Sequence, residues 1–308
     1  MQYYFAPLEG ITDYIYRSLH HQFYTGVDKY FTPFMSPTVH RCLTPKEQKE
    51  IPPASTLDYV VVPQLLTKNP DDFIWMAQQC ADRGYTEVNL NLGCPSGTVT
   101  AKGKGSGMLQ APDALDSFLD RIYANAPVAI SVKTRIGFES TEEFPMLLDI
   151  FNKYPIKELT IHPRVRKAFY NGNVDTDTFR YACKYARMPL CYNGDILSLE
   201  QVSDFPAANA IMIGRGLIAD PGMLSGERFD IQKLEAFYNA MLDAYIAAFG
   251  SARNAMFRLK EHWHYLIERF DGAEKLGKQL RKTTDLNEYR TITKRIFSEC
   301  EWNGHRRP

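Results

Sequence analysis

Eight short segments rich in β-branched and aromatic residues recur through the first 214 residues, at 3–7, 29–34, 59–64, 87–92, 129–134, 158–162, 190–193 and 210–214. Helical apolar spacing fills four of the intervals, over residues 71–83, 112–124, 141–153 and 176–185. Strands that alternate with helices pair in parallel, because the crossover returns the chain to the same end of the sheet. Eight such units close on themselves, so the expected fold is α/β, a (β/α)8 TIM barrel. The spacers after the first and last strands are less clearly helical, and no other internal repeat is visible.

After residue 231 the strand signals vanish. Residues 234–249, 252–270, 273–282 and 286–297 carry amphipathic helical spacing, broken by Gly250, Gly272 and the Thr283-Thr284 pair. The reading is a barrel over residues 1–228 followed by a small C-terminal helical bundle over 229–308. The formal net charge of zero is unevenly spread. Residues 1–230 carry 22 Lys and Arg against 26 Asp and Glu, whereas 231–308 carry 14 against 10. The tail is therefore the basic part, which fits either an anionic partner or a plain solvated helical face.

In a barrel, function gathers at the C-terminal ends of the strands. The stretch 88–95, Val-Asn-Leu-Asn-Leu-Gly-Cys-Pro, ends a strand pattern on Cys94, and Pro95 forbids its continuation. Gly103, Gly105 and Gly107 follow, allowing backbone to approach a ligand closely. Polar groups cap nearly every other strand: Pro7 with the turn after it, Gln64, Lys133 with Arg135, His162 with Arg164, Asn193-Gly194-Asp195, and Gly214-Arg215-Gly216. A lone Asn-Gly-Asp is a turn. Paired with Gly-Arg-Gly on the next strand, it favours a phosphate held by backbone N–H groups and Arg215. Lys133 lies mid-pattern in an apolar strand and calls for a ligand or counter-charge. Taken alone, His162 reads as a core histidine and Gln64 as a weak amide signal. Together these residues fit a phosphate-bearing, planar, hydrogen-bonding cofactor, best matched by FMN.

The run 88–106 resembles the signature of the tRNA-dihydrouridine synthases, a family of FMN-dependent barrels. The similarity extends, in order, through the segments at 6–13, 131–135, 161–164, 192–195, 212–216 and 258–263. The resemblance implies that Cys94 is the general acid and that Asn91 positions the target uracil. It implies that Lys133, His162, Gln64, Asn193, Gly214 and Arg215 hold FMN, with Pro7, Gly194 and Asp195 beside them. Arg135 and Arg164 are expected to bind the RNA substrate. NADPH is the expected reductant and a uridine of the tRNA D-loop the expected target, turned out of its stack into the pocket. A proton donor must hold its proton at rest, unlike a nucleophilic cysteine. Three positions depart from the commoner pattern: Gly97 for lysine, Pro163 for glycine or alanine, and Val174-Asp175-Thr176 without the usual tryptophan. They leave the subfamily, and so the target position, open.

Two other readings stand beside this one: an FMN barrel that reduces a free small molecule, and a non-catalytic RNA-binding protein. The six cysteines form no C-x-x-C pair, which argues against a zinc site or disulfide scaffold and for a reducing cytoplasm. No uninterrupted apolar run of membrane-spanning length occurs, and the N-terminal residues read as a first strand rather than a signal peptide. A monomer without a metal is expected.

Overall fold

The computed structural model describes residues 1–304; the last four residues of the expected helical domain, 305–308, lie outside the described residues. Nine strand segments form one parallel sheet: β1 (Gln2–Phe5), β2 (Lys29–Phe31), β3 (Val61–Val62), β4 (Gln64–Leu65), β5 (Glu87–Leu92), β6 (Ala129–Arg135), β7 (Leu159–His162), β8 (Leu190–Tyr192) and β9 (Ala210–Ile213). Their order is β3-β2-β1-β9-β8-β7-β6-β5-β4. The ends of that list, β3 and β4, are one continuous stretch of chain interrupted by Pro63. Proline lacks the ladder donor. The stretch bonds to β2 through Val61 and Val62 and to β5 through Gln64 and Leu65. Counted as one strand, it closes the expected eight-stranded TIM barrel.

The expected crossovers appear as helices Pro70–Ala81, Pro112–Asn125, Phe144–Phe151 and Thr176–Tyr185. The spacer after β1 contains the helix Tyr14–Phe23, capped by Asp13, whose carboxylate accepts from the N–H of Tyr16. The spacer after β9 holds only the short helix Arg215–Ala219.

The chain divides into two compact units. The first comprises Met1–Pro7, Asp28–Gly194 and Phe205–Met212 and holds nearly all of the sheet. Strand alternation gives it an unusual interior. In β5, Val88, Leu90 and Leu92 point to the covered outer face, while Glu87, Asn89 and Asn91 point the other way. In β6, Ile130, Val132 and Thr134 alternate with Ser131, Lys133 and Arg135. Barrel lumens are usually filled by branched apolar side chains; this one is lined by amides, hydroxyls and charges. At its lower end Glu87 receives the ammonium groups of Lys29 at 3.1 Å and Lys157 at 2.8 Å. Beside it, the Tyr4 hydroxyl lies 3.1 Å from Glu158.

The second unit comprises Leu8–Val27, Asp195–Asp204 and the described residues from Ile213 onward. It gathers three earlier stretches with the helical tail expected at 229–308. The reason is polar as well as apolar. Tyr245 donates to Asp13 at 2.8 Å, His262 Nε2 lies 3.0 Å from the carbonyl of Ile11, and Arg269 donates to the carbonyl of Leu197 at 2.9 Å. Tyr16 and His262 stack at 4.9 Å. The tail consists of helices Ile231–Phe249, Ala252–Leu266, Glu274–Lys282 and Leu286–Glu299. Contrary to expectation, strand structure does not vanish there. The helix expected over 252–270 ends early, and Phe270–Asp271 pairs antiparallel with Glu301–Trp302. The Trp302 ring stacks on Phe229 at 4.1 Å and meets Phe270 edge-on at 5.3 Å. A contact of that sequence separation leaves no local signal.

Candidate active site

Cys94 stands two residues beyond the end of β5, half-buried, and its backbone is held from both sides. Asn91 Oδ1 accepts the N–H of Gly93 at 3.0 Å and of Cys94 at 2.9 Å, an Asx turn that folds the chain back as it leaves the strand. The Cys94 carbonyl accepts from the Ser106 N–H at 3.2 Å and from its hydroxyl at 2.7 Å. Gly105 sits between them with φ of 58°, and a Cβ there would lie 3.0 Å from the Cys94 carbonyl oxygen and 3.1 Å from the Cys94 Cβ. Both the left-handed backbone and the close approach demand glycine. The spacing of Cys94 from Gly105-Ser106 therefore has a mechanical meaning: the distant pair closes the loop that carries the thiol.

Asn91 is itself oriented by a chain of amides across three strands. Its two backbone partners can only donate, so Oδ1 must face them and Nδ2 must face Gln64, whose Oε1 it meets at 2.8 Å. Gln64 Nε2 then donates to Asn89 Oδ1 at 2.8 Å, and Asn89 Nδ2 donates to the Ser131 hydroxyl at 3.0 Å. The direction of every amide follows from the backbone N–H groups of Gly93 and Cys94, which removes the usual ambiguity between amide oxygen and nitrogen. Asn89 and Ser131 carry no sequence-based assignment. Their signal was present, as polar residues at alternate positions of otherwise apolar strands.

Lys133 follows Ser131 on the same face of β6 and pairs in register with Asn91. Its ammonium has no hydrogen-bond or ion-pair partner among the described residues. Burial, and next the neighbouring Arg135 guanidinium, push its pKa down to about 8. Arg135 is almost fully buried; its Nε donates to the Gly93 carbonyl at 2.9 Å and a terminal nitrogen to Val165 at 3.0 Å. Burial is also the main reason its pKa falls to about 10. Arg164 donates to the carbonyl of Gly172 at 2.6 Å and lies 3.1 Å from His162 Nε2. A guanidinium only donates, so Nε2 is the acceptor and the imidazole proton sits on Nδ1. Arg135, expected to meet RNA, thus also ties the Cys94 loop to the loop after β7, whereas these Arg164 bonds stay within that second loop. Arg166, from the same loop, donates to the carbonyl of Pro95 and to the Thr100 hydroxyl, both at 3.2 Å.

The structure therefore brings Gln64, Asn91, Cys94, Lys133, Arg135, His162 and Arg164 together at the strand ends of the first unit. Pro7, Asn193 and Gly194 belong to that unit as well. Asn193 Nδ2 donates to the Met212 carbonyl at 2.8 Å, and a Cβ on Gly194 would lie 2.9 Å from Val174. In the second unit, Arg215 pairs with Asp195 at 2.5 Å, with Asp195 in the left-handed region at φ of 47°. Gly214 caps the helix Arg215–Ala219, and a Cβ on Gly216 would lie 2.2 Å from the Ile196 carbonyl oxygen. The second glycine of Gly-Arg-Gly is thus required by packing. Among the described residues, no group of three or more His, Cys, Asp or Glu could hold a metal ion, and no helix is long and apolar enough to cross a membrane.

A closed parallel barrel with a loop-held cysteine and a lysine facing its mouth defines the class: a (β/α)8 barrel whose polar side chains converge at the strand C-termini. The family model described as Dihydrouridine synthase (Dus) matches residues 4–301, and the chain belongs to that family. It is 30% identical to the tRNA-dihydrouridine synthase B of Pasteurella multocida (strain Pm70) over 220 residues, covering 70% of this chain and 65% of that protein. It is 26% identical to the probable tRNA-dihydrouridine synthase 1 of Synechocystis sp. over 313 residues, covering 96% of this chain and 86% of the relative. The tRNA-dihydrouridine synthase B of Escherichia coli (strain K12) is 29% identical over 230 residues, covering 70% of this chain and 68% of that protein. Among solved structures, morphinone reductase in complex with tetrahydroNAD is similar with a TM-score of 0.46 and 10% identity, covering 72% of this chain and 85% of that one.

Proposed function

We propose that this chain reduces the 5,6 double bond of a uridine in tRNA, in the D-loop, to dihydrouridine, with FMN at the barrel mouth and NADPH as reductant. The observation that carries the reading is the Cys94 loop of a dihydrouridine synthase family member, held by Asn91 and Ser106 at the end of a strand whose neighbour presents Lys133.

The residues present fit a flavin. Lys133 is a deep cation without a partner among the described residues, and a positive charge at the pyrimidine edge suits a ring that becomes anionic on reduction. His162 stands on the neighbouring strand with its imidazole proton on Nδ1, and Asn193 keeps its side-chain oxygen as an acceptor. Gln64 has one N–H and one lone pair left after its two amide bonds. When bound and reduced, FMN would supply the hydride that C6 of the uracil accepts.

The chain's own part is to hold, orient and protonate. Cys94 holds a proton on Sγ and delivers it to C5, on a loop whose backbone is fixed so that the thiol does not have to be found at the moment of transfer. Asn91 fixes that loop and keeps one N–H for the uracil edge. Arg135 and Arg164 hold the walls in place and put positive charge beside the incoming phosphates. Turning the uridine out of its stack costs a few kcal/mol, least in a flexible loop.

The test is anaerobic. The purified protein is reduced with NADPH, and flavin reoxidation is followed on adding unmodified tRNA. Rapid reoxidation that Cys94→Ala abolishes while flavin stays bound is the expected result. A reduced flavin indifferent to tRNA would instead favour reduction of a free small molecule. Absence of bound flavin would refute the reading.

A further inference from the structure

The loop after β7 carries two consecutive exposed aromatics, Phe169 and Tyr170, on a rim that also carries Arg166 and Lys167. Phe169 is the unusual one. It ends the single helical turn Arg166–Ala168 with φ of 51° and ψ of −103°, a conformation that side-chain-bearing residues rarely adopt. Strain of this kind persists only where the surroundings over-determine it, and it collects at functional sites. Here the ring is left 39% exposed.

What holds the ring is a cation. The Arg166 guanidinium lies 5.0 Å from the Phe169 ring and 5.1 Å from the Phe138 ring. Its hydrogen bonds run to the carbonyl of Pro95, the residue after Cys94, and to Thr100. The loop backbone is docked as well: the N–H groups of Arg166 and Lys167 donate to the carbonyls of Gly137 and Phe138 at 2.9 and 3.1 Å. An exposed aromatic face is thus fixed one guanidinium away from the Cys94 loop, among basic side chains. Rigid aromatic faces set in positive surface are how proteins receive unpaired bases and track the phosphates between them.

We propose that Phe169 is a stacking platform for an unpaired base of the RNA, adjacent to the base that enters the pocket. The inference rests on the tRNA reading above. The strain at residue 169 serves it, by turning the ring outward against Arg166 instead of into the loop.

The experiment measures equilibrium binding of fluorescently labelled unmodified tRNA to the full chain with Phe169 replaced by Gly, Leu or Trp. Phe169→Gly removes the ring and also relieves the positive φ, so it is expected to melt no lower than the parent. Its tRNA affinity is expected to fall about 5- to 150-fold, the range for losing one base–aromatic stack. Phe169→Leu, which keeps apolar bulk without a π face, is expected to lose nearly as much. Phe169→Trp is expected to bind like the parent, with an added tryptophan emission that tRNA quenches. A folded Phe169→Gly with parental affinity would overturn the inference, as would Phe169→Leu binding as well as phenylalanine. An equal loss toward fully double-stranded RNA would also overturn it. Each of these outcomes leaves tRNA reduction standing, whereas a parent protein that binds no tRNA removes both.

Discussion

The amide chain from Ser131 to Cys94 predicts what replacing its central member does. Gln64 is nearly fully buried and spends its side chain on Asn91 and Asn89. Gln64→Leu fills the same volume but strands the Asn91 Nδ2 donor and the Asn89 Oδ1 acceptor in the barrel wall. Each buried polar group left without its partner costs about 1–3 kcal/mol, and the added apolar burial of leucine returns roughly 1–2 kcal/mol. The net loss is on the order of 0–5 kcal/mol, centred near 2–3. It should be localised: hydrogen exchange at the Gly93 and Cys94 amides accelerates, while the outward-facing amides of β5 keep their protection until global unfolding. Gln64→Glu tests the direction of the chain. It retains an acceptor for Asn91 but turns a carboxylate oxygen on Asn89 Oδ1, so its folded pKa rises above the unfolded value of about 4.3. The penalty is absent below that unfolded value and complete above the folded one, so acidification narrows the gap to the parent protein. Urea midpoints across a pH series read this directly. Unchanged Gly93 and Cys94 protection in Gln64→Leu, or a pH-independent deficit in Gln64→Glu, would refute the assigned amide directions.

Lys133→Met should stabilise the flavin-free protein. Burial holds the ammonium at about pKa 8, below its unfolded value near 10.4, which costs on the order of 3 kcal/mol at neutral pH. Stability of the parent should rise between pH 8 and 10.5 as the lysine discharges, and chemical denaturation showing a less stable methionine variant would contradict this. The two carboxylates at the lower end of the lumen should behave oppositely at pH 7. Burial raises Glu158, so Glu158→Gln is expected to stabilise at neutral pH, an advantage that fades as pH falls through the folded pKa toward the unfolded value. Glu87 is lowered: burial acts to raise it, but the Lys157 hydrogen bond and the Lys29 charge outweigh that. Glu87→Gln is therefore expected to destabilise above pH 4.5, with the difference vanishing in acid; matching signs for the two variants would refute the assignment. Gly105→Ala should displace the Cys94 loop, because the new methyl group meets the Cys94 carbonyl at 3.0 Å on a backbone with φ of 58°. A loss of about 1–3 kcal/mol and an altered alkylation rate at Cys94, with Cys183 unchanged, are the expected readouts by peptide-resolved mass spectrometry.

Periodicity alone determined the barrel. Eight apolar segments at helix-length intervals admit few architectures, and each was found close to its expected place, the third broken only by Pro63. Position at a strand's end was equally legible for Cys94, Lys133, Arg135 and His162, since a side chain's face follows from its place in the two-residue repeat. Local rules could not say what those groups touch. Asn91 belonged to the sequence as a candidate for the uracil, but its hold on the Cys94 backbone appears only when the turn is formed. Gln64, Asn89 and Ser131 come from three strands far apart in the chain, and their hydrogen bonds exist only once the lumen closes. Arg135 and Arg164 looked like free cations for RNA, yet their forks also reach backbone carbonyls 42 and 8 residues away. The same limit hid the pairing of Phe270 with Trp302 and the gathering of residues 8–27 with the helical tail. What is local in the chain (alternation, caps, glycine turns) is written in the sequence, because backbone sterics decide it residue by residue. What depends on which distant surfaces share one interior is decided only by the tertiary fold, because burial and directional hydrogen bonds act between partners that neighbouring residues do not specify.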